Sequence, residues 1–168
     1  IRNLEKPVIA AVNGVAAGAG ASLALCCDIV VAKESASFIQ AFSMIGLVPD
    51  SGATYFLPRS VGTQKAAALM MTAEPIKSKE AAEMGMIFKC YSDDEFEKKS
   101  WKLACKLAKM PTKGLAFTKK LLNSSFSNNL EQQLKLEKKY QIMAAETEDF
   151  SEGVNAFLEK RKPNFKGK

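Results

Sequence analysis

Two short apolar runs separated by a stretch of very small residues limit what this chain can become. Val8-Ile9-Ala10-Ala11-Val12 is closed by Asn13-Gly14, and Asp28-Ile29-Val30-Val31-Ala32 follows sixteen positions after the first run ends on Val12. Uninterrupted apolar runs of this length suit strands buried on both faces. Between them lies Gly14-Val15-Ala16-Ala17-Gly18-Ala19-Gly20-Ala21-Ser22, read as a small-residue turn leading into a helix over Ala21–Cys27. Strand, helix and strand at this spacing predict a parallel crossover unit. Ala36–Gln40 is a third, shorter strand candidate.

After Ser51 the pattern turns helical. The spacing predicts helices over Gly52–Leu57, stopped near Pro58, over Gln64–Thr72, and over Lys79–Met84 with Ser78 as N-cap and Gly85 as terminator. Ile87–Tyr91 is a strand candidate. Asp93–Met110 reads as a long amphipathic helix with Phe96, Trp101, Ala104, Leu107 and Ala108 near one face. Further helices are expected over 112–124, 129–145 and 151–160. Ile1–Pro7 reads as the tail of a helix stopped by proline, and the start of the chain suggests that it begins inside a larger domain. The fold class is therefore α/β, with mixed structure over 1–100 and helices over 101–168.

The apolar share of 47% and charged share of 25% are those of a globular protein. The net charge of +6 is spread over helices with interleaved glutamates, and no basic stretch carries aromatics, so nucleic acid is not the expected partner. No apolar run reaches the ~18 residues of a membrane span. There is no histidine, and the four cysteines form no Cys-x-x-Cys, so no metal site is expected. Reduced thiols fit a cytoplasmic location.

With histidine absent, acid–base chemistry near neutral pH falls to carboxylates. Asp50 stands in Gly46-Leu47-Val48-Pro49-Asp50-Ser51-Gly52. Its bland reading is an N-cap for the next helix. The other reading rests on its neighbours Phe38, Phe42, Met44, Ile45, Leu47 and Val48, which make the approach apolar; a carboxylate there loses hydration, which favours its protonated form. Asp28, at a strand start, reads as structural. The Gly14–Ser22 turn has two readings as well: close packing of helix on strand, or backbone N–H groups at a helix start offered to an oxyanion. Gly18-Ala19-Gly20 supplies Gly-x-Gly, but Leu23 occupies the third glycine position, which argues against a dinucleotide fingerprint.

Lys6–Gly20 continuing to Cys27–Ala32, Phe38–Phe42 through Gly46–Thr54, and Glu152–Phe165 together resemble the crotonase (enoyl-CoA hydratase/isomerase) family over essentially the whole chain. The resemblance implies the later part of a core of ββα spiral turns, followed by a helical region for oligomerisation and coenzyme A contact. Family hydratases use two glutamates, and the matching positions here are Ser22 and Phe42. Asp50 falls where hydratases usually carry glycine and several isomerases keep an acid. The implied activity is thus an acyl-CoA isomerase that shifts a double bond or opens an epoxide, with fatty 3-enoyl-CoA or dienoyl-CoA isomerisation as alternatives and a non-catalytic acyl-CoA-binding module as a third. The implied roles are Asp50 as proton carrier and the Ala19 N–H as one oxyanion donor. Gly18, Phe42 and Leu47 are expected on the substrate, and Phe157 and Lys160 at the adenosine end of coenzyme A held in a neighbouring subunit. A second oxyanion donor is expected from a longer N-terminal region. Coenzyme A would enter as part of the substrate, with no separate cofactor, and the assembly would be a homotrimer or hexamer.

Overall fold

A computed structural model describes residues 1–168, and in it both apolar runs are strands. β1 (Ile9–Val12) and β3 (Ile29–Lys33) pair in parallel, Ile9 against Ile29 and Val12 against Ala32. The stretch between them is not only a turn. Val15–Ala17 forms β2, and α1 (Ala19–Leu25) follows directly. β2 pairs in parallel with β4 (Ser37–Ile39), with Ala16 against Phe38. β1 to β4 thus alternate between two three-stranded sheets, and each of these ββ pairs is followed by helix, the expected spiral pattern.

The path continues through a 3-10 helix (Ala41–Ile45), α2 (Ala53–Val61), α3 (Thr63–Thr72), β5 (Ile76–Lys77), α4 (Ser78–Glu83) and β6 (Lys89–Tyr91). β5 adds antiparallel to β4, and β6 adds parallel to β3. Small residues let these layers approach closely. Ala21, Ala32, Ala36 and Ala81 are fully buried around Phe38 and Leu57, which fill the centre of the core. Pro58 does not stop α2. The helix runs through it to Val61 and ends at Gly62, whose φ of +81° suits glycine alone. Ser78 is not a cap either: its buried hydroxyl donates to Ala36 O at 2.9 Å, tying the start of α4 to the loop before β4. Asp28 is structural, as expected, accepting the Val8 N–H at 2.8 Å.

The chain divides into two compact units, Ile1 with Val8–Lys102 and Arg2–Pro7 with Leu103–Lys168. α5 (Phe96–Ala108) runs from residues of the first into residues of the second. Its expected apolar face is only partly inward: Phe96 is buried, but Trp101 is 73% exposed. The second unit holds α6 (Thr112–Ser125), α7 (Leu130–Ala145) and α8 (Glu148–Leu158). Residues 1–7 are not a helical tail. Arg2–Pro7 lie as turns along α6, where Lys119 Nζ donates to Lys6 O at 3.2 Å and Asn123 Nδ2 to Arg2 O at 3.2 Å. Phe117 of α6 stacks on Tyr140 of α7 with centroids 5.1 Å apart. α7 opens with a capping box in which Asn129 and Gln132 exchange backbone and side-chain bonds. All four cysteines are free thiols, and no helix is long and apolar enough to cross a membrane.

Candidate functional site

Gly18 is the hinge between β2 and α1. Its φ of +52° and ψ of −121° are open to glycine and strained for other residues. That geometry lets its N–H reach Ile39 O in the neighbouring strand (2.8 Å) while its carbonyl accepts Ser22 N–H (3.1 Å), the first bond of α1. The N–H groups of Ala19, Gly20 and Ala21 lie ahead of that bond, where a helix has no internal acceptor. Ala19 and Gly20 are exposed, so their amides stand at an open helix start.

Ser22 and Phe42 close off the inner side. The Ser22 hydroxyl is fully buried and donates to Gly18 O at 3.1 Å. Phe42, in the 3-10 helix, is buried against Gly18: a methyl group placed there would meet its ring at 3.7 Å. Neither residue offers a titratable proton at neutral pH. Leu47 follows by backbone, its N–H on Phe42 O at 3.0 Å, and its side chain is 58% exposed.

Asp50 lies beyond a glycine turn at Gly46 (φ +71°). It does not cap α2 through its carboxylate. The cap position is Gly52, without a side-chain bond, and Asp50 contributes only its carbonyl, to Ala53 N–H at 3.0 Å. The carboxylate accepts the Ser51 hydroxyl at 3.0 Å and is exposed. A dehydrated approach was expected, but within this chain Met44, Ile45, Leu47 and Val48 themselves face outward, Val48 at 80% exposure. They form an exposed apolar shelf leading to an exposed acid. Ser51 and Gly52 both have positive φ, so the backbone leaves Asp50 through two left-handed residues. No hydrogen bond joins Asp50 to Gly18 or Ala19.

Gly18, Ala19, Phe42, Leu47 and Asp50 all belong to the first unit, and the structure brings Gly18, Phe42 and Leu47 into direct contact or bonding. Phe157 and Lys160 belong to the second. Phe157 is 82% exposed near the end of α8, and Lys160 is exposed just past it. Sequence reasoning missed the groups that shape this end. Glu152 accepts a two-pronged pair from Arg161, at 2.6 and 2.9 Å, and the Asn164 N–H at 2.7 Å. The Arg161 guanidinium first, and the Asn164 N–H second, hold its carboxyl down to about 2. The available signal was a carboxylate and an arginine nine positions apart around a helix end, which spacing alone does not pair.

A family model described as enoyl-CoA hydratase/isomerase matches residues 1–168. The chain is 48% identical over 168 residues to the 1,2-epoxyphenylacetyl-CoA isomerase of Escherichia coli (strain K12), covering 100% of this chain and 64% of that protein. It is 49% identical over 162 residues to a probable enoyl-CoA hydratase of Rhodobacter capsulatus, covering 96% of this chain and 63% of that one. A crystal structure of an enoyl-CoA hydratase from Polaromonas sp. JS666 superposes with a TM-score of 0.94 at 39% identity, over 99% of this chain and 65% of that one. The chain thus spans just under two thirds of the length of these relatives, and its fold is the crotonase fold expected from the sequence. It belongs to the enoyl-CoA hydratase/isomerase family.

Proposed function

We propose that the protein is an acyl-CoA isomerase acting through a stabilised enolate, with 1,2-epoxyphenylacetyl-CoA as its substrate. One observation carries the reading: Asp50 is the only acidic residue between Ser35 and Ala73, and its carboxylate is exposed without serving as a helix cap. Ser22 and Phe42, at the positions where family hydratases hold their two glutamates, are a locked hydroxyl and a hydrocarbon ring. That favours proton relocation over addition of water. The 48% identity to an epoxyphenylacetyl-CoA isomerase supports the choice of acyl group.

In this reading the thioester carbonyl accepts the Ala19 N–H and a second donor from the rest of the whole protein. Such a donor is worth about 10²–10³ in rate when charge develops on the oxygen. Asp50 removes a proton from the carbon beside the carbonyl, and the electron pair delocalises into the enolate. The carbon–carbon bond shared by the ring and the epoxide breaks as the ring expands to an oxepin, with both C–O bonds kept, and the proton returns to a ring carbon from the same carboxylate, so no atom is gained or lost. Gly18, Phe42 and Leu47 border the acyl group. Phe157 and Lys160 meet the adenosine end of coenzyme A bound to a neighbouring subunit, the ring against the base and the ammonium against phosphate. Homotrimers or hexamers complete the proposal, supported by apolar residues left exposed on α6 and α7 such as Leu122, Leu134 and Ile142.

The test is an assay of the whole protein on ring-epoxidised phenylacetyl-CoA and on a 3-enoyl-CoA, with hydration of a 2-enoyl-CoA as the control. Isomerisation of the epoxide well above the other two reactions supports the reading. Preference for the 3-enoyl-CoA moves the protein to the fatty isomerases. Hydration at a comparable rate overturns the isomerase assignment, and tight thioester binding without turnover makes the protein a binding module.

A further inference from the structure

The end of α8 adopts a turn that its sequence does not favour. Lys160 has φ +54°. Its N–H donates to Phe157 O at 3.2 Å, and the Arg161 N–H donates to Ala156 O at 3.0 Å. These are the two bonds of a Schellman closure, whose left-handed position ordinarily holds glycine. A residue with a Cβ crowds a backbone oxygen there, so a lysine is held against its preference.

The residues on either side supply the restraint. The Arg161 guanidinium grips both oxygens of Glu152, and its Nε donates to Glu159 Oε2 at 2.5 Å. Glu152 also accepts the Asn164 N–H. Earlier on the same helix, buried Asp149 accepts the N–H groups of Lys166 (2.7 Å) and Gly167 (2.8 Å), and its own N–H donates to Lys168 O at 3.2 Å. The chain that leaves Lys160 is therefore tied back onto α8 by two carboxylates. If φ at Lys160 relaxed to negative values, the direction of its Cα–Cβ bond relative to α8 would change.

We propose that Glu152 is a positioning residue for coenzyme A: by clamping Arg161 it holds Lys160 in the left-handed turn, which fixes the direction in which the Lys160 side chain leaves the end of α8, three residues after the exposed Phe157. This rests on the reading that Phe157 and Lys160 meet the adenosine end. An exposed aromatic ring and an exposed cation three residues apart at one helix end are the combination that a phosphorylated nucleoside needs and that pantetheine does not.

The experiment measures binding of free coenzyme A and of pantetheine, which lacks the nucleotide, to the whole protein by calorimetry. Lys160→Ala should weaken coenzyme A and leave pantetheine unchanged. Glu152→Gln should weaken coenzyme A about five- to tenfold, again with pantetheine unchanged. The double variant should bind no more weakly than Lys160→Ala, because both changes act through one side chain. Arg161→Lys keeps the charge and loses the fork; it should shift coenzyme A in the same direction and decides the question alone if Glu152→Gln does not fold. If Lys160→Ala weakens coenzyme A while Glu152→Gln and Arg161→Lys bind it normally, the positioning role is overturned and the adenosine reading stands. If Lys160→Ala has no effect, the adenosine reading fails and the positioning role with it. Equal weakening of both ligands by Glu152→Gln makes the residue merely structural and also overturns the inference.

Discussion

The ring of Phe42 stands 3.7 Å from where a side chain on Gly18 would begin, so the residue that turns β2 into α1 is walled on one side by the 3-10 helix. The contact distance itself is ordinary; the constraint is the backbone, at φ +52° and ψ −121°. Gly18→Ala should therefore cost about 1–3 kcal/mol of stability through backbone strain rather than collision. It should also displace the Ala19 N–H. Urea unfolding and steady-state kinetics on the same samples check both effects, and a variant that is destabilised with full turnover would separate Ala19 from the chemistry.

Asp50 makes no side-chain bond to α2. Asp50→Asn should accordingly change unfolding free energy by no more than about 0.5 kcal/mol, as for other surface substitutions. On the proposed mechanism it should lower kcat by about 10²–10⁴ with a modest change in KM. Unchanged turnover would remove Asp50 from the reaction.

Glu152 predicts a pH effect. Its carboxyl lies near 2 in the folded chain, below the ordinary 4.5, because Arg161 and the Asn164 N–H favour the charged form. A folded value below the unfolded one gives stability that is fully present above about 4.5 and lost as pH falls toward 2. Thermal unfolding followed from pH 6 downward should show wild type losing stability across that window more steeply than Glu152→Gln. Parallel curves would mean that the ion pair contributes nothing measurable in water.

The capping box of α7 is testable in isolation from any site. Asn129→Ala removes the acceptor for Gln132 N–H, a bond of 2.9 Å, and should cost about 0.5–2 kcal/mol. Because α7 has no fully buried residue, its stability leans on its ends and its half-buried face. Chemical denaturation of Asn129→Ala beside wild type measures the loss.

Much of the fold was legible because its parts are local. Two apolar runs and the spacing between them encode a parallel crossover, and Gly85, with φ +80°, ends the α4 turn as its position implied. β2 escaped because Val15-Ala16-Ala17 has little bulk to mark it as strand; its partner Phe38 supplies the bulk from across the ladder. Pro58 misled because a proline inside a helix forfeits one bond, and the burial of Leu57 beside it outweighs that loss. The apolar approach to Asp50 was read correctly in composition and wrongly in burial, since Met44 and Val48 point outward in this chain. The carboxylates that fasten the last residues to α8 were invisible for a different reason. Asp149 binds main-chain amides of residues 166 and 167, and an amide has no letter in a sequence.

Lys160 sets two demands against each other at one position. Lys160→Gly would relieve the left-handed strain and is the change a search for thermostability would select, yet it deletes the ammonium. On the proposed reading, a cation where the backbone would prefer hydrogen trades durability for recognition. Homologues with glycine at this turn should be sturdier and should discriminate poorly between nucleotide-bearing and nucleotide-free thioesters.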